Sequence, residues 1–291
     1  MSLFTDFISF AESFHSSAQC TNPCIADCND TCLDCLDRQN YQSQQRTYDC
    51  EKRCGAYICH YLFRFFIEMS YLCREVRNHN GSIKVLSIGC GPCSELFPLI
   101  KEIESQSPTY RIEYWGIEMS DKWIPFHDEI NRLINLYHKP ISTNFIIGDA
   151  EVEIELLQEV EFDVLILNYF LSDFKKSHHG SMFRVRQLYQ LVYDKIISLM
   201  PDKSHILIND INHNNTRDCF DALLPIIKRN KIVKKYRFEK PTNVLQSYTP
   251  SYVNRGNPPI RIPTNILGDN IALSYYPRTD CSSAQVSIEV R

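Results

Sequence analysis

Short apolar runs alternate with amphipathic stretches between residues 83 and 224 of this 291-residue chain. Five runs rich in β-branched residues are each followed by a segment in which apolar residues recur with helical spacing. The runs are residues 83–89, 111–118, 143–149, 162–170 and 204–210. Because parallel strands need long crossovers, which are usually helices, this alternation predicts an α/β protein with a parallel sheet and helices on both faces.

The C-terminal part of the chain follows a different pattern. The segment "KKYRFEK" (234–240) predicts a sixth strand, and either "NIALSYY" (270–276) or "QVSIEVR" (285–291) supplies a seventh. Residues 241–270 are rich in proline, which disfavours long regular structure. A loop of this length usually has a function, and covering a site as a lid is one such function.

A polar segment, "VRNHNGS" (76–82), separates this pattern from a cysteine-rich N-terminal region with helical periodicity. We therefore predict a small helical, cysteine-rich domain over residues 1–80 and an α/β domain over residues 81–291. Hydrophobic residues make up 44% and charged residues 23% of the chain, which suffices for a buried core. The net charge of −4 gives no electrostatic case for a nucleic acid or an anionic membrane as partner, and we expect the basic run 228–240 to be a solvated face.

The sequence predicts no membrane span and no export signal. No uninterrupted apolar run approaches the roughly 20 residues that a bilayer requires. The N-terminus carries Asp6 and Glu12 within its apolar pattern, so it predicts an amphipathic helix rather than a secretory signal. We therefore expect a cytoplasmic, reducing location. Nine of the 13 cysteines lie between Cys20 and Cys73, and in such a compartment this kind of cluster more often binds metal than forms disulfides.

The first predicted strand ends in a glycine turn, "SIGCGPCSEL" (87–96). Gly89 and Gly91 let the backbone pass close to a bound nucleoside, and the helix that follows points its positive end at the ligand. Acidic residues end the next two strands: Glu118 can accept hydrogen bonds from both hydroxyls of a ribose, and Asp149 can accept one from an adenine amino group. Because these strand ends meet at one edge of an open α/β sheet, we expect a nucleoside-binding site there.

Residues 83–210, which carry these motifs, resemble the class I S-adenosylmethionine-dependent methyltransferases. "VLSIGCGPCSELF" is similar to the first motif of that family, "IEYWGIE" to the second, "IIGDAE" to the third and "FDVLILNYFLSDF" to the fourth. The resemblance implies a Rossmann-like fold with a mostly parallel seven-stranded sheet, S-adenosylmethionine as cofactor and S-adenosylhomocysteine as product. It also implies cofactor contacts at Gly89, Gly91, Pro92, Glu118, Met119, Asp149, Ala150 and Asn168.

The glycine turn departs from the family pattern at two positions. Ser87 stands where the first motif often has an acidic residue, and Cys93 replaces its third glycine. We interpret Cys93 as a packing cysteine rather than a reactive thiol. A dinucleotide site fits less well, because Ser94 and Glu95 break its G-x-G-x-x-G pattern, and the absence of a GK[ST] sequence excludes a phosphate-binding P-loop.

Methyl transfer from a sulfonium depends mainly on proximity and alignment, with a base useful where the acceptor must lose a proton. We expect the acceptor pocket at the ends of the fourth and fifth strands, with Asn168, Tyr169 and Asp210 as the candidate catalytic residues. Asp173 and His213 are further candidates. Asp210 has an alternative role in a turn or a helix cap, as Asp often does.

The N-terminal cysteines recur at helical spacing in residues 20–35, and a second run follows in residues 50–59. Two helices joined as a hairpin would bring four thiolates together, a set that suits tetrahedral zinc. The predicted zinc ligands are Cys28, Cys32, Cys50 and Cys54, and a second site would use Cys20, Cys24, Cys35 and Cys59. Disulfide bridges, an iron–sulfur cluster and free thiols are the alternatives. A metal would stabilise a domain too small to bury much apolar surface.

The sequence therefore predicts a methyltransferase of unknown acceptor, which is a small molecule, a protein or RNA. A metal-stabilised N-terminal domain would recognise the substrate or cover the active site. The alternative is a methyltransferase-like, zinc-binding scaffold without catalysis, which binds a protein or RNA. Cofactor affinity distinguishes the two, because a scaffold need not keep Glu118 and Asp149 in working geometry.

Overall fold

The computed structural model describes residues 2–18, 32, 48, 50–77, 81–107, 109–238, 251–256 and 281–291. The strands are β1 (Ser82–Ile88), β2 (Arg111–Glu118), β3 (Ile141–Ile147), β4 (Val164–Asn168), β5 (His205–Ile211), β6 (Lys231–Arg237), β7 (Val253–Asn254) and β8 (Ser283–Val290). The helices are α1 (Leu3–Ser17), α2 (Glu51–Cys73), α3 (Leu96–Gln106), α4 (Ile124–Leu136), α5 (Ala150–Leu156), α6 (Leu171–Ser177), α7 (Met182–Val192) and α8 (Asn214–Leu223).

The strands form one mixed sheet in the order β3-β2-β1-β4-β5-β8-β6-β7. β1 to β5 are parallel, and β8 lies antiparallel between β5 and β6. The strand order reverses at β1, which pairs with β2 on one side and with β4 on the other. A ligand crevice forms outside the carboxyl ends of the strands at such a switch point. This architecture confirms the predicted α/β, Rossmann-like fold.

The described sheet has eight strands, one more than predicted. The additional strand, β7, is two residues long and pairs Val253 with Tyr236 at the end of β6. Both of its residues are exposed, so no hydrophobic alternation marks them in the sequence. The seventh predicted strand is β8, because residues 283–290 fill that position in the sheet. Of the predicted lid over residues 241–270, the structure describes only residues 251–256.

Two hydrophobic clusters cover the two faces of the sheet. Adjacent residues of β1 show the division: Val85 packs into one cluster and Leu86 into the other, because successive side chains of a strand point to opposite faces. α1 to α4 cover the first face, and α5 to α8 cover the second. Strands buried in this way read as continuous apolar runs, which is the pattern that the sequence has.

The two N-terminal helices that the structure describes, α1 and α2, pack on the α/β part. α1 begins after Ser2, whose hydroxyl accepts a hydrogen bond from Thr5 N–H. The rings of Phe4 and Phe7 lie 5.3 and 5.2 Å from that of Phe97 in α3. A single hydrophobic cluster therefore contains residues from both sides of the predicted boundary near residue 80.

The basic run 228–240 contributes β6, where its charges are paired within the protein. Lys234 Nζ lies 2.5 Å from Glu75 Oε2, and Lys235 forms an ion pair with Asp221. Among the helices that the structure describes, none is both long and apolar enough to cross a membrane.

Candidate functional site

An open pocket lies at the switch point, outside the carboxyl ends of β1 to β4. The segments that follow these strands form one part of its wall, and aromatic side chains form another. The aromatic part includes Tyr48, Tyr57, Phe65 and Trp123. All eight residues expected to contact the cofactor line this one pocket, although they come from four separate segments of the chain.

The glycine turn after β1 requires its two glycines. Gly89 has φ +68° and Gly91 has φ +48°, in the left-handed region that favours glycine. A Cβ on Gly89 would lie 2.5 Å from Phe170 Cδ2. The turn is held to the end of β2, because Gly89 N–H donates to Ile117 O at 2.8 Å.

Glu118 ends β2 and supports the same turn from inside the pocket. Its Oε2 accepts from Gly91 N–H at 2.9 Å, and its Oε1 accepts from Ser120 N–H at 3.0 Å. Burial raises the pKa of this carboxyl above its usual value, and the backbone hydrogen bonds oppose that rise. A carboxylate has about four lone-pair positions, so two remain for a ligand.

Asp149 follows β3 and is the N-cap of α5. Its Oδ1 accepts from Glu151 N–H at 2.9 Å and from Val152 N–H at 3.3 Å. This cap fixes the backbone of Gly148 and Ala150, which line the pocket. The motif alone does not reveal this structural role of Asp149. Met119, next to Glu118, is 65% exposed at the pocket rim.

Asn168 and Tyr169 end β4 and line the pocket. Asn168 Nδ2 donates to Ser94 Oγ at 2.9 Å, which links β4 to the glycine turn. Tyr169 has φ +54°, and its hydroxyl donates to Glu68 Oε2 at 2.8 Å while accepting from Arg64 Nη2 at 2.7 Å. Burial raises the pKa of Tyr169 well above its usual value, so the phenol stays protonated.

Asp210 and His213 take capping roles outside the described pocket wall. Asp210 is fully buried, and its Oδ2 accepts from Ser172 N–H in the first turn of α6 at 2.9 Å. Burial raises its pKa to about 6, against the opposing effect of the hydrogen bonds from Ser172. His213 is the N-cap of α8 and accepts from Asn215 N–H. This geometry matches the alternative role in a helix cap, whereas Asp173 lines the pocket.

Residues 79–246, more than half of the chain, match the family model described as a methyltransferase domain. The chain belongs to this family. The resemblance to class I S-adenosylmethionine-dependent methyltransferases is thereby confirmed. A search of curated proteins found no match.

Solved structures resemble this chain only distantly. A protein from Listeria monocytogenes described as a class I S-adenosylmethionine-dependent methyltransferase is 10% identical, with a TM-score of 0.46, over 78% of this chain and 59% of that one. Spermidine synthase from Thermotoga maritima is 13% identical, with a TM-score of 0.41, over 79% and 59%. An O-methyltransferase from Bacillus cereus in complex with SAH is 9% identical, with a TM-score of 0.40, over 99% and 100%. TM-scores below 0.5 carry no argument about the acceptor.

Two residues that the sequence analysis did not single out, Arg64 and Glu68, connect α2 to the pocket. Glu68 is fully buried and accepts from Arg64 Nε at 3.0 Å and from Tyr169 OH at 2.8 Å. It also accepts from Asn209 Nδ2 at 3.1 Å. The signal was present in "YLFRFFIEM", where an Arg and a Glu one helical turn apart interrupt an apolar helix.

The predicted N-terminal zinc ligands are only partly described. Cys20, Cys24, Cys28 and Cys35 lie outside the described residues. Cys50 and Cys54, one turn apart at the start of α2, are buried free thiols, as is Cys59. Cys32 packs against the cluster of Ala56, Tyr61 and Phe65. Zinc at these cysteines therefore stays a prediction.

The described residues bring together a different set of potential ligands: Cys90, Cys93 and His127, whose ligand atoms all lie within 4.8 Å of one another. Cys93, at the third glycine position, has φ +54°. Burial raises the pKa of its thiol, but the hydrogen bond from Cys90 and the charge of His127 outweigh burial and lower the pKa to about 7. We expected Cys93 to be an ordinary packing cysteine, and the sequence did not predict a second thiol and an imidazole beside it.

Proposed function

We propose that the protein transfers the methyl group of S-adenosylmethionine to an acceptor held in this pocket. The observation that carries the proposal is the hydrogen bond from Gly91 N–H to Glu118 Oε2, which joins the glycine turn to an acidic strand end inside the pocket. The cofactor supplies an electrophilic methyl group on a sulfonium. The protein supplies position, alignment and exclusion of water.

The eight predicted cofactor residues keep their roles in this proposal. Gly89, Gly91 and Pro92 lie along the amino-acid end of the cofactor. Glu118 accepts from the ribose hydroxyls with Met119 beside it, while Asp149 and Ala150 border the adenine. Asn168 lies where the cofactor half of the pocket meets the acceptor half. Their joint occurrence in one pocket wall supports this assignment.

The acceptor half of the pocket is aromatic. Tyr57 and Phe65 of α2 face it together with Tyr48 and Tyr169, and the rings of Phe65 and Tyr169 are 4.3 Å apart. No lysine or arginine is among the lining residues that the structure describes, so this wall offers no strong partner for a phosphate. These features favour a small acceptor with a flat apolar part, without phosphate groups, over RNA.

A base for the acceptor proton is best sought at Asp173. Tyr169 is unsuited, because its hydroxyl already donates to Glu68 and its pKa is raised by burial. Asp210 is committed to capping α6. Asp173 is the carboxylate of the pocket wall that the cofactor assignment leaves unused. In this scheme Asn168 and Tyr169 position the acceptor, and Asp173 accepts its proton.

The N-terminal helices would form part of the active site rather than an independent module. Tyr57 and Phe65 supply the acceptor wall, so α2 recognises the substrate and covers the cleft. Zinc held by Cys28, Cys32, Cys50 and Cys54 would anchor the start of α2. The burial of Cys50 and Cys54 as neighbouring free thiols supports this part of the proposal.

Calorimetric titration of S-adenosylhomocysteine tests the cofactor site. The Glu118→Gln variant should bind at least about tenfold more weakly than the wild type, because a hydrogen bond to a charged group contributes about 1.5–3 kcal/mol. Glu113→Gln is the matched control, since Glu113 lies on the same strand, outside the pocket wall, and pairs with Lys84. Equal affinities of Glu118→Gln and wild type, or no binding by folded wild type, would contradict the proposal and favour the scaffold.

A further inference from the structure

A buried group of two thiols and an imidazole lies beneath the glycine turn. Cys90 and Cys93 belong to the turn itself, and His127 comes from the first turn of α4. Their exposed fractions are 3%, 0% and 3%. The proposed methyl transfer uses none of these three side chains, so their presence at this point needs a separate explanation.

The backbone holds the two thiols together at an energetic cost. Cys93 N–H donates to Cys90 O at 2.8 Å, which closes a tight turn around the sequence Cys-Gly-Pro-Cys. Cys93 has φ +54°, a conformation in which a residue other than glycine is strained. A glycine at this position would avoid the strain. The chain instead carries a thiol there, buried beside a second thiol.

The three side chains contact one another only through weak, long hydrogen bonds to sulfur. Cys90 Sγ lies 3.9 Å from His127 Nε2, and Cys93 Sγ lies 3.9 Å from Gly91 O. His127 Nδ1 has no hydrogen-bond partner among the described residues. Nδ1 is not the nitrogen near the Cys90 thiol, and the candidate ligand atoms are Nε2 and the two thiol sulfurs.

The three ligand atoms lie within 4.8 Å of one another, which is compatible with one shared metal ion. With Zn–S near 2.3 Å and Zn–N near 2.0–2.1 Å, tetrahedral geometry places sulfur and nitrogen about 3.6 Å apart. The separation of 3.9 Å between Cys90 Sγ and His127 Nε2 is close to that value. The C-x-x-C spacing is also typical of zinc sites, in which two thiolates come from one turn and another ligand from a distant element.

We propose that Cys90, Cys93 and His127 bind one zinc ion beneath the cofactor turn. Thiolate and imidazole ligands together favour a thiophilic metal over magnesium or calcium. Binding releases the two thiol protons, and the imidazole coordinates through Nε2 and keeps its one proton on Nδ1. Coordination through Nε2 replaces the hydrogen bond that Nε2–H donates to Gly91 O at 2.8 Å, and this carbonyl oxygen or a water supplies the fourth ligand.

The site would fasten the glycine turn to α4. Without a metal, His127 contacts the turn through its Nε2–H donation to Gly91 O. With a metal, that hydrogen bond is replaced, and the two thiolates join α4 to both ends of the Cys-Gly-Pro-Cys turn. The proposal does not depend on methyl transfer, because it concerns only the metal content of the folded chain.

Metal analysis of four proteins tests the site. Wild type, Cys93→Gly, His127→Gln and Cys219→Ser are produced with zinc and a reductant, and zinc per chain is measured by mass spectrometry. We expect one equivalent less in Cys93→Gly and in His127→Gln than in wild type. Cys219, a buried free thiol of α8 on the other face of the sheet, is the matched control and should lose none. The difference is the readout, because the N-terminal cysteines can hold zinc of their own.

Equal zinc in all four proteins would overturn the proposal. Glycine fits φ +54°, so Cys93→Gly should fold, which circular dichroism verifies. Cobalt substitution gives a second readout. The absorption spectrum of cobalt-loaded wild type, after subtraction of the spectrum of cobalt-loaded Cys93→Gly, should show thiolate-to-cobalt charge transfer and the strong visible bands of a tetrahedral site.

Wild type alone supplies a third readout that needs no variant. Cys90 and Cys93 should resist alkylation in the native protein until a chelator is added, as peptide mass spectrometry reports. A Cys90–Cys93 disulfide in freshly purified, zinc-replete protein would instead overturn the metal site and indicate a redox-active pair.

Discussion

Replacing Glu68 by alanine should lower the free energy of unfolding by about 3–5 kcal/mol, the usual cost of breaking a buried ion pair from one side. Glu68 is fully buried and accepts hydrogen bonds from Arg64, Tyr169 and Asn209. A hydrogen bond to a charged group contributes about 1.5–3 kcal/mol, so three independent losses would sum to about 4.5–9 kcal/mol. They share one network, however, and losses within a network are not additive.

Urea unfolding followed by far-ultraviolet circular dichroism measures this cost. Glu75→Ala is the matched control, because Glu75 follows α2 and pairs with Lys234 at the surface. This pair is partly exposed, so its loss should cost about 1 kcal/mol, well below the cost of breaking the buried pair. Glu68→Ala should also weaken cofactor binding, since Glu68 and Arg64 hold Tyr169 in its left-handed conformation at the pocket wall.

A double-mutant cycle gives the stricter test. Arg64→Met and Glu68→Met each leave one member of the buried pair without its partner, whereas the double variant removes both charges. The double variant should therefore cost at least about 1.5 kcal/mol less than the sum of the single variants. A cost of Glu68→Ala below about 1 kcal/mol, or additive effects in the cycle, would refute the reasoning.

Three further changes have defined outcomes. Gly89→Ala should abolish binding of S-adenosylhomocysteine in calorimetric titration, because a Cβ there would lie 2.5 Å from Phe170 Cδ2, and retained affinity would contradict the geometry of the turn. Burial raises the folded-state pKa of Asp210 to about 6. The stability of wild type relative to Asp210→Asn should therefore fall as pH rises from about 4 to about 6 and stay constant above that. Urea unfolding across this range measures the difference, which would not change with pH if the carboxyl titrated normally. Gly55→Val should cost about 1–3 kcal/mol in urea unfolding, because its Cβ would lie 3.0 Å from His15 Cβ where α1 crosses α2, and a neutral effect would mean that this contact is not tight.

Much of the α/β architecture follows from local patterns along the chain. The strands β1 to β5 and the helices between them were predicted because buried strands and amphipathic helices have distinct periodicities. The glycine turn was predicted because only glycine passes freely through the left-handed region that Gly89 and Gly91 occupy. β7 was missed, since two exposed residues carry no periodicity.

Some site residues could likewise be recognised from local sequence, whereas the role of others depended on a distant partner. Gly91 and Glu118 are recognisable because each ends or follows a strand, and the strand ends of a parallel sheet converge. The role of Asp210 depended on which backbone N–H it met, and that donor, Ser172, lies 38 residues away in the chain.

The contacts that distinguish this protein from a generic cofactor fold join distant segments. Glu68 meets Tyr169 across 101 residues, and Cys90 meets His127 across 37. A charged pair in a helix or a Cys-x-x-Cys turn is visible in the sequence, but its partner is not. Periodicity is a local property, so the chain alone determined the strands, the helices and the glycine turn. Side-chain partnership depends on how helices cross the sheet, so only the tertiary structure brought α2 to the pocket and an imidazole to two thiols.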